Sequence, residues 1–599
     1  MPTTVGQFLI NDVMPEGYKI SGPVTKKALH DHVVELARKD PAKYVHTALA
    51  LKRRGDEIAT LEGISVGLDD IEPDYKMRDA IVKPALAKLE KLTDRTARNK
   101  VITDAQDEML SLTKNHPGSM THMALSGARG NAAQLMKIVA TPLATDDPKR
   151  GIMPHLIDRS YSEGLTPAQY WMSGPEVRYN EVRARISVSE PGEMAKVLVN
   201  NMIANVVTTH DCGTHNGVKM SVDDAHILDR FSQDSAGLAR NTAITPQIVQ
   251  QLKAKNVPQI LVRSPMTCTA TKGVCQMCQG HNEKGHLHAM GMTVGVRSAQ
   301  AMAEPLTQMA LSSRHGTLTV KGEVKELTGL KGVRQLLDIP KAFKYEAVLA
   351  PNTGVVKKIE KAPQGGHYIH VDTKKIYAAP DLNVKVTVGQ GVEVGDAMTD
   401  GVPHPAKVVA AKGLGAGRAY FVDAVHNLYK GEGVNLDRRH VELLAKSEIN
   451  HVRLLEADPD HPELLKGDII NYNAFRDAYH KDATRVSVDN AVGHRLGQEV
   501  LHHTVGTPIT PALAKSLKEQ GVHDVAINKR IPQVEFVMKP FTMNPLLESD
   551  WMARLAHRYL KNTLQEAAQF GEVSDLHGTH PVPAYAYGAE LHHGAAGAF

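Results

Sequence analysis

Four cysteines are the residues of this chain whose type and spacing most clearly indicate chemistry. Cys268, Cys275 and Cys278 fall in the segment CTATKGVCQMCQG, and Cys212 lies upstream in THDCGTHNG. Two cysteines separated by two residues supply two corners of a tetrahedral zinc site from one turn, and four thiolates leave no open position for catalysis. We therefore predict one structural zinc ion per chain, bound by all four cysteines. The alternative is a set of unrelated buried thiols.

The rest of the composition excludes several classes of protein. Four cysteines among 599 residues cannot form the disulfide framework of a small secreted domain. The opening residues MPTTVGQFLINDVMPEGYKI lack the basic and apolar regions of a signal peptide, and no uninterrupted apolar run approaches ~18 residues. We therefore expect a cytoplasmic protein with no membrane partner. The net charge of +4 is compatible with nucleic acid binding but does not require it.

The elements that must position the cysteines are predicted from hydrophobic periodicity. Apolar residues recur at three- and four-residue spacing over the first ~120 residues and again at about 167–208, which indicates helices. The segment 340–410 is rich in Val, Ile, Tyr and Thr between glycine-containing turns and indicates a small β domain. Helical periodicity then returns near the end, where one buried apolar stripe is predicted from Trp551, Leu555, Tyr559 or Leu560, and Leu564. These patterns predict a multidomain α+β fold.

The segments around the cysteines resemble the β′ subunit of multisubunit DNA-directed RNA polymerase. The resemblance rests on motifs that occur in the family's order: TTVGQFL, SVGLDD, SGARG, EGLTPAQYW, DCGTHNG, the three-cysteine loop, EPLTQMALSSRH, GVRQLLD, VEVGDAMTDG, LDRRHVELL and YLKNTLQEAAQFGEVSDLHG. It covers essentially the whole chain and matches the C-terminal half of β′.

The resemblance implies six regions along the chain. They are a helical secondary-channel-like region at 1–125, a Ser-Gly-Ala-Arg-Gly loop with a bridge-helix-like region at 126–210, a zinc-binding region at 211–295, a trigger-loop region with its helices at 296–339, a β-rich barrel-sandwich or jaw-like domain at 340–410, and a helical clamp-like region at 411–599.

The resemblance also implies roles in nucleotide addition. Arg129 of SGARG matches the arginine that reaches the phosphates of the incoming nucleotide, a contact that suits a planar guanidinium. In EPLTQMALSSRH, Gln308 matches the residue that senses the sugar and Leu311 the residue that stacks on the base. His315 matches the residue that faces the phosphates, where an imidazole can act as a positional or acid catalyst.

Two of these elements depart from the family pattern. Ser312 replaces the family arginine after the stacking residue, although Arg314 follows two positions later and is a candidate substitute. The family hinge Gly-Glu-Pro-Gly is Ala303-Glu304-Pro305-Leu306 here, which predicts a stiffer trigger loop.

The bridge helix departs further from the family. Arg178 aligns with the arginine of the family's Gly-Ala-Arg-Lys-Gly motif, and Val188 and Ser189 align with the residues under the active-site base pair. Pro191 follows closely, and proline inside a helix kinks or breaks it. We expect either a kink or a new helix capped by Ser189, and therefore no continuous bridge helix.

The family's Asn-Ala-Asp-Phe-Asp-Gly-Asp loop, whose aspartates hold the catalytic Mg²⁺, does not occur in this sequence. Asp69, Asp70 and Asp74 are acidic neighbours that we interpret as a solvated loop. The resemblance therefore implies a split β′ whose Mg²⁺ is held by a partner resembling the N-terminal part of β′. The other implied partners are β-like subunits, a DNA template with its RNA–DNA hybrid, and nucleoside triphosphates, with a promoter-specificity factor left open.

Several alternatives accompany the hypothesis of a polymerase subunit. The departures from the cellular pattern favour a bacteriophage source, with the protein in the host cytoplasm or packaged in the virion. One rival is a polymerase-derived structural or regulatory protein that keeps the fold and the zinc but not catalysis. Another is a free-standing zinc-stabilised module that binds nucleic acid. The segment GLGAGR at 413–418 lacks the context of a nucleotide fingerprint and is predicted to be a turn.

Overall fold

The computed structural model describes residues 4–63, 65–147, 151–153, 155–186, 189–312, 327, 329–457, 464–480, 483–555 and 560–587. The chain divides into two compact units. The first contains 1–188 with 283–285 and 311–324, and the second contains 189–282, 286–310 and 325–599. Helices and several small sheets make this a multidomain α+β protein, which confirms the predicted fold class. The six-region division stays a prediction.

The first unit is mainly helical. Its described helices are α1 (Val5–Val13), α2 (Lys26–Lys39), α3 (Pro41–Glu62), α4 (Tyr75–Leu89), α5 (Arg95–Thr113), α6 (Ser119–Ser126), α7 (Ala132–Val139) and α8 (Pro167–Ile186). A short antiparallel pair, β1 (Asp146–Asp147) and β2 (Gly151–Ile152), lies between α7 and α8. Side chains of Asp74, Asp94 and Asn131 accept hydrogen bonds from backbone N–H groups in the first turns of α4, α5 and α7, which fixes where these helices begin.

One apolar core holds α4, α5 and α7 together. Ile81 and Leu89 of α4 pack with Ile102 and Met109 of α5 and with Met136 of α7, and all five side chains are buried. The loop SGARG follows α6 directly, so this core positions the segment that carries Arg129.

Twelve described helices begin in the second unit. They are α9 (Ser189–Met202), α10 (Pro246–Ala254), α11 (Gln276–Gln279), α12 (Val294–Ser312), α13 (Gly329–Asp338), α14 (Pro405–Gly431), α15 (Arg438–Glu448), α16 (Tyr472–Tyr479), α17 (Pro511–Glu519), α18 (Trp551–Arg554), α19 (Leu560–Phe570) and α20 (Pro581–Tyr587).

The strands of the second unit form small sheets. They are β3 (Val207–Thr209), β4 (Val218–Ser221), β5 (Gln259–Val262), β6 (Val274–Cys275), β7 (Gly354–Lys361), β8 (His367–Val371), β9 (Lys374–Ala378), β10 (Gly391–Val392), β11 (His451–Leu454), β12 (Ile469–Asn471), β13 (Thr484–Ser487), β14 (Asp524–Ile527) and β15 (Val534–Val537). One antiparallel sheet has the order β10-β7-β8-β9 and a second has the order β12-β11-β15. The pairs β4–β5 and β13–β14 are antiparallel, and β3–β6 is parallel.

A large core of the second unit surrounds the cysteine segments. Phe421 and Val425 of α14 and Leu444 of α15 share one cluster of buried side chains with Cys275 and Cys278. The cysteines are therefore part of the packed interior.

Two local predictions were wrong. GLGAGR is not a turn but part of α14, in which only Gly413 has non-helical angles, at φ 87° and ψ 172°. A side chain at Gly415 would meet the carbonyl oxygen of His502 at 1.7 Å, so the glycines permit close packing. The C-terminal stripe is not buried either, because Leu564 is 45% exposed and Trp551 lies in a separate short helix.

Candidate metal centre

The four cysteine sulfur atoms converge on one point in the second unit. Their Sγ atoms all lie within 4.8 Å of one another, and the Sγ atoms of Cys212 and Cys278 are 3.8 Å apart. Zn–S bonds of about 2.3 Å in a tetrahedron require sulfur–sulfur separations of about 3.8 Å. The donor set and its spacing therefore fit a tetrahedral zinc ion, and the cluster can hold a metal.

Local structure explains how three of these cysteines reach one place. Cys268 ends a short 3-10 turn, Cys275 ends β6, and Cys278 lies one turn later in α11. The backbone N–H of Cys275 donates to Cys268 Sγ at 3.4 Å, and the N–H of Cys278 donates to Cys275 Sγ at 3.3 Å. These N–H···S bonds stabilise negative charge on sulfur and hold the turn in shape.

The fourth cysteine is brought in by a parallel strand pair. Val207 and Thr209 of β3 pair with Val274 and Cys275 of β6, which places Cys212 just beyond the end of β3 next to the turn. Gly273 makes this possible, because it has φ 63° and a side chain there would meet the Val206 carbonyl oxygen at 2.1 Å. Only glycine satisfies both conditions.

An arginine that the sequence reading did not identify lies against the cluster. The Nη2 atom of Arg263 is 3.4 Å from Cys212 Sγ, 3.6 Å from Cys275 Sγ and 3.3 Å from Cys278 Sγ. Its Nη1 donates to Asn241 Oδ1 at 2.6 Å, and the side chain is 0% exposed. A buried guanidinium needs negative partners, and here three of them are sulfur atoms.

Asp211 completes the polar surroundings of the cluster. Its carboxylate lies 2.7 Å from Arg263 Nη2 and 3.1 Å from Arg240 Nη2, and it accepts a hydrogen bond from Asn241 at 3.0 Å. Burial opposes the charged form, but the hydrogen bonds from Arg263 and Asn241 prevail and lower the pKa of Asp211 to about 2. Asp211 is therefore an anion at neutral pH that helps to fix the guanidinium.

The four thiols differ in how readily they lose a proton. Hydrogen bonds from Cys268, Cys275 and Cys278 hold the pKa of Cys212 well below its ordinary value, whereas burial raises the pKa of Cys278. The sulfurs therefore compete for protons within one small volume. A divalent cation displaces protons from such a set of thiols.

Helix α15 fixes the loop from the other side. Arg439, Glu442 and Lys446 share one face of this helix because they follow i, i+3 and i+7 spacing. Arg439 Nη1 donates to the carbonyl oxygens of Gln279 and His281 at 3.0 and 2.7 Å, and Lys446 Nζ donates to that of Gly273 at 2.7 Å. These bonds anchor both ends of the C-x2-C turn.

Glu442, between these two residues, joins a buried ion pair. Its two oxygens accept from Nη1 and Nη2 of Arg230, each at 2.8 Å, and Ser264 donates to it at 2.7 Å. The side chains of Arg230 and Glu442 are 1% and 0% exposed. Burial disfavours the carboxylate, yet Arg230 and Arg438 lower the pKa of Glu442 below its ordinary value. The segment before Cys268 is thus tied to α15.

Arg129 lies in the first unit on an exposed loop. Gly127 ends α6 with φ 77°, the N–H of Arg129 donates to the Met123 carbonyl oxygen at 3.2 Å, and Asn131 begins α7. The side chain of Arg129 borders a mainly apolar cavity of about 420 Å³ that Met120 also lines. The predicted phosphate contact is accessible in this arrangement.

The described part of the trigger segment is helical. The hinge Ala303–Leu306 and Gln308 all lie inside α12, and Gln308 Nε2 donates to Glu304 Oε1 at 3.0 Å. Leu311 also lies in α12, near the end of its described part. Arg314 and His315 lie outside the described residues, so their predicted roles stay predictions.

The bridge-helix residues fall on two helices. Arg178 is an exposed residue of α8, and Ser189 is the first residue of α9, while Val188 lies outside the described residues. Pro191 is a buried residue of α9. Residues outside the described ranges separate α8 from α9, so the kink or new helix expected at Ser189 stays a prediction.

The acidic neighbours in the first unit include one structural residue. Asp70 accepts hydrogen bonds from the N–H groups of Gly67 and Ser119, each at 2.9 Å, and these lower its pKa. Asp74 caps α4. Both carboxylates are thus used to order the backbone, in addition to being near solvent.

Sequence reasoning missed the charged residues that support the cysteines: Arg230, Arg263, Arg418, Arg439, Glu442 and Lys446. Arg418, for example, is buried and donates to the carbonyl oxygens of Ile449 and Met266 at 2.9 and 3.3 Å. The one available signal was the helical spacing of Arg439, Glu442 and Lys446 on a face that also needed to be buried.

Comparisons with known proteins agree with the resemblance to β′. The chain is 27% identical over 521 residues to "DNA-directed RNA polymerase subunit beta′" of Staphylococcus aureus strain MRSA252, a match covering 80% of this chain and 42% of that relative. The same values hold for the subunits of strains Mu50 and N315. The match thus spans less than half the length of these relatives. No family model matches the chain. None of the helices in the described ranges is long and apolar enough to cross a membrane.

Proposed function

We propose that this chain is a subunit of a DNA-dependent RNA polymerase and corresponds to the C-terminal part of β′. The observation that carries the proposal is the similarity to β′ across 80% of the chain. A four-cysteine cluster with the spacing of a tetrahedral zinc site supports it. The zinc would be structural, because four sulfur ligands fill its coordination shell.

The chemistry of the complex would depend on residues from more than one chain. Phosphoryl transfer requires positioning and neutralisation of charge on the triphosphate. In this proposal Arg129 contacts the phosphates, while Gln308, Leu311 and His315 close on sugar, base and phosphate. The aspartate loop for Mg²⁺ is not among these 599 residues, so it would come from a partner resembling the N-terminal part of β′. β-like subunits, template DNA and the RNA–DNA hybrid complete the assembly, and we propose a bacteriophage as the source.

Reconstitution tests this function. The chain is combined with a subunit that carries the aspartate loop and with β-like subunits, and extension of an RNA primer on a DNA scaffold is measured with Mg²⁺. We expect nucleotide addition by the complex and none by the chain alone. Robust activity of the isolated chain would show that Mg²⁺ is held within these 599 residues.

A second candidate is a catalytically inactive polymerase relative with a structural or regulatory role in the virion. Ser312 in place of the family arginine and Pro191 in the bridge-helix-like segment favour it. A complete complex that binds the scaffold without extending the primer would support this candidate. Copurification with capsid or tail proteins, in place of polymerase subunits, would support it further.

A further inference from the structure

Arg263 has a geometry that a simple buried ion pair does not require. Its Nη2 atom is nearly equidistant from three sulfurs, at 3.4, 3.6 and 3.3 Å from Cys212, Cys275 and Cys278. It therefore lies over the triangular face that these three sulfurs form. Cys268 is the one cysteine sulfur without an Arg263 hydrogen bond within the described residues, and it accepts the backbone N–H of Cys275.

The rest of the guanidinium is arranged to keep Nη2 in this place. Nη1 is held by Asn241 Oδ1 at 2.6 Å, and Asp211 lies 2.7 Å from Nη2. The Nε atom is buried and has no hydrogen-bond partner in the described part of the chain. Leaving a buried N–H unsatisfied costs free energy, so the orientation is determined by the sulfurs, Asn241 and Asp211.

The positive charge of Arg263 offsets the excess negative charge expected at a zinc–thiolate cluster. Four thiolates and one Zn²⁺ leave two negative charges in an environment where three of the four cysteines are buried. One fixed guanidinium compensates part of that charge, and its N–H···S bonds withdraw electron density from the sulfurs. A buried zinc–thiolate cluster whose excess negative charge is compensated in this way is more stable, so it should lose zinc more slowly.

We propose that Arg263 is an integral member of the metal centre that slows zinc loss from the three sulfurs it contacts. This inference rests on the zinc occupancy proposed above. A lysine could not replace it fully, because an ammonium is a single point charge and lacks the planar fork that reaches the sulfurs and Asn241 together.

The rate of zinc loss tests the proposal on the full-length chain. Zinc-loaded protein is mixed with excess 4-(2-pyridylazo)resorcinol, and zinc transfer to this chelator is followed by absorbance. Replacing a residue that supports metal ligands weakens metal binding roughly 10- to 100-fold. We therefore expect zinc loss from Arg263→Gln to be faster by roughly that factor and Arg263→Lys to be intermediate.

Three further variants separate this role from general effects. Asn241→Gly releases Nη1 while tolerating the positive φ of 65° at this position, and it should accelerate zinc loss several-fold. Arg240→Gln removes one positive charge beside Asp211 without touching a sulfur, so its effect should be well below that of Arg263→Gln. Arg453→Gln, in a partly exposed ion pair with Glu535, should lose zinc at the wild-type rate.

The possible results distinguish the role of Arg263 from the zinc assignment and from the polymerase function. Wild-type rates of zinc loss from folded Arg263→Gln would overturn the proposal. If Arg263→Gln does not fold, a wild-type rate for Asn241→Gly overturns it instead. Purified wild-type protein without zinc would overturn both this inference and the zinc assignment. Failure of primer extension would contradict only the polymerase function, because zinc transfer requires no nucleotide addition.

Discussion

Arg263 lies at the cysteine cluster and Arg129 at the predicted phosphate contact, and the two side chains differ in burial and in how firmly they are held. Arg263 is fully buried and is fixed by three sulfurs, Asn241 and Asp211. Arg129 is exposed on a loop beside a cavity. The cysteine cluster is preorganised by the fold of this chain. The arginine proposed to contact nucleotide is exposed on a loop, as residues that bind a substrate often are.

The largest effect should follow from destroying the preorganised site. Cys275→Ser combined with Cys278→Ser removes two of the four proposed zinc ligands, so the bound zinc should fall from one ion per chain to none. Solubility should fall as well, because structural zinc contributes to folding directly. Metal analysis of the purified protein measures this, and full zinc retention in the double variant would rule out the assignment.

The buried ion pair beside the cluster should give the next effect. Glu442→Gln leaves Arg230 buried without a charged partner, which should lower the free energy of unfolding by roughly 3–5 kcal/mol. Because the folded-state pKa of Glu442 is lowered, its contribution is present above the unfolded carboxyl pKa of about 4.3 and is lost as pH falls through the folded value.

Denaturant unfolding at pH 7 and at acidic pH measures this difference. Glu535→Gln is the matched control, since Glu535 pairs with Arg453 at the surface and should contribute at most about 1 kcal/mol. Equal losses for the two variants at pH 7 would mean that burial of the Arg230–Glu442 pair is not important.

The proposed nucleotide contacts should affect rate and leave stability unchanged. In a reconstituted complex, His315→Ala should slow single-nucleotide addition roughly ten- to a thousandfold, the scale of a lost proton-transfer or electrostatic contact. The loss should appear in kcat more than in KM, because such contacts act mainly in the transition state. Arg129→Ala should also slow addition, and Arg314→Ala should do so if Arg314 replaces the arginine lost at Ser312.

Rapid-quench primer extension distinguishes the outcomes for these residues. An unchanged rate in His315→Ala together with loss of activity in Arg129→Ala would mean that only the phosphate contact is used. If neither substitution changes the rate of an active complex, the proposed nucleotide contacts are wrong.

The effect that is smallest at neutral pH concerns a buried histidine on β11. Burial lowers the pKa of His451 to about 4, so the folded state keeps this imidazole neutral below pH 6.5, where the unfolded chain takes up a proton. Stability is therefore complete above the unfolded pKa and declines as pH falls from about 6.5 toward 4, by at most ~1.4 kcal/mol per pH unit. His451→Phe should make that decline shallower in unfolding experiments, although the partly buried His503 and His580 contribute to it as well. His523→Phe, at an exposed position, should leave it unchanged.

Sequence reasoning reached the cysteine cluster because ligand chemistry is local. Sulfur is the required donor, the C-x2-C turn is short, and all four cysteines were needed for one site. It could not identify Arg263 or Glu442, because arginine and glutamate are common at surfaces and only tertiary packing buries these two side chains. The prediction of a turn at GLGAGR was wrong for a related reason. Its glycines favour a turn locally, but in the fold they allow α14 to approach the His502 carbonyl closely.

The C-terminal stripe shows the opposite error. Trp551, Leu555 and Leu564 follow helical spacing in the sequence, yet α18 ends at Arg554 and Leu564, in α19, is 45% exposed. Periodicity predicts an apolar face, but it does not supply the surface that would bury it. The α+β class was predicted correctly despite such local errors, because that prediction depends on the periodicity of many segments together.

The hydrogen bond from Lys446 to the Gly273 carbonyl oxygen joins two segments that the ribosome synthesises at different times. The two residues are 173 positions apart. At a synthesis rate of about 5–20 residues per second, α15 leaves the ribosome roughly 9–35 s after the cysteine loop. During that interval all four cysteines have been synthesised, while Lys446, Glu442 and Arg439 are still missing. A nascent chain stalled before residue 438 should therefore present its thiols to alkylating reagents that the finished protein excludes.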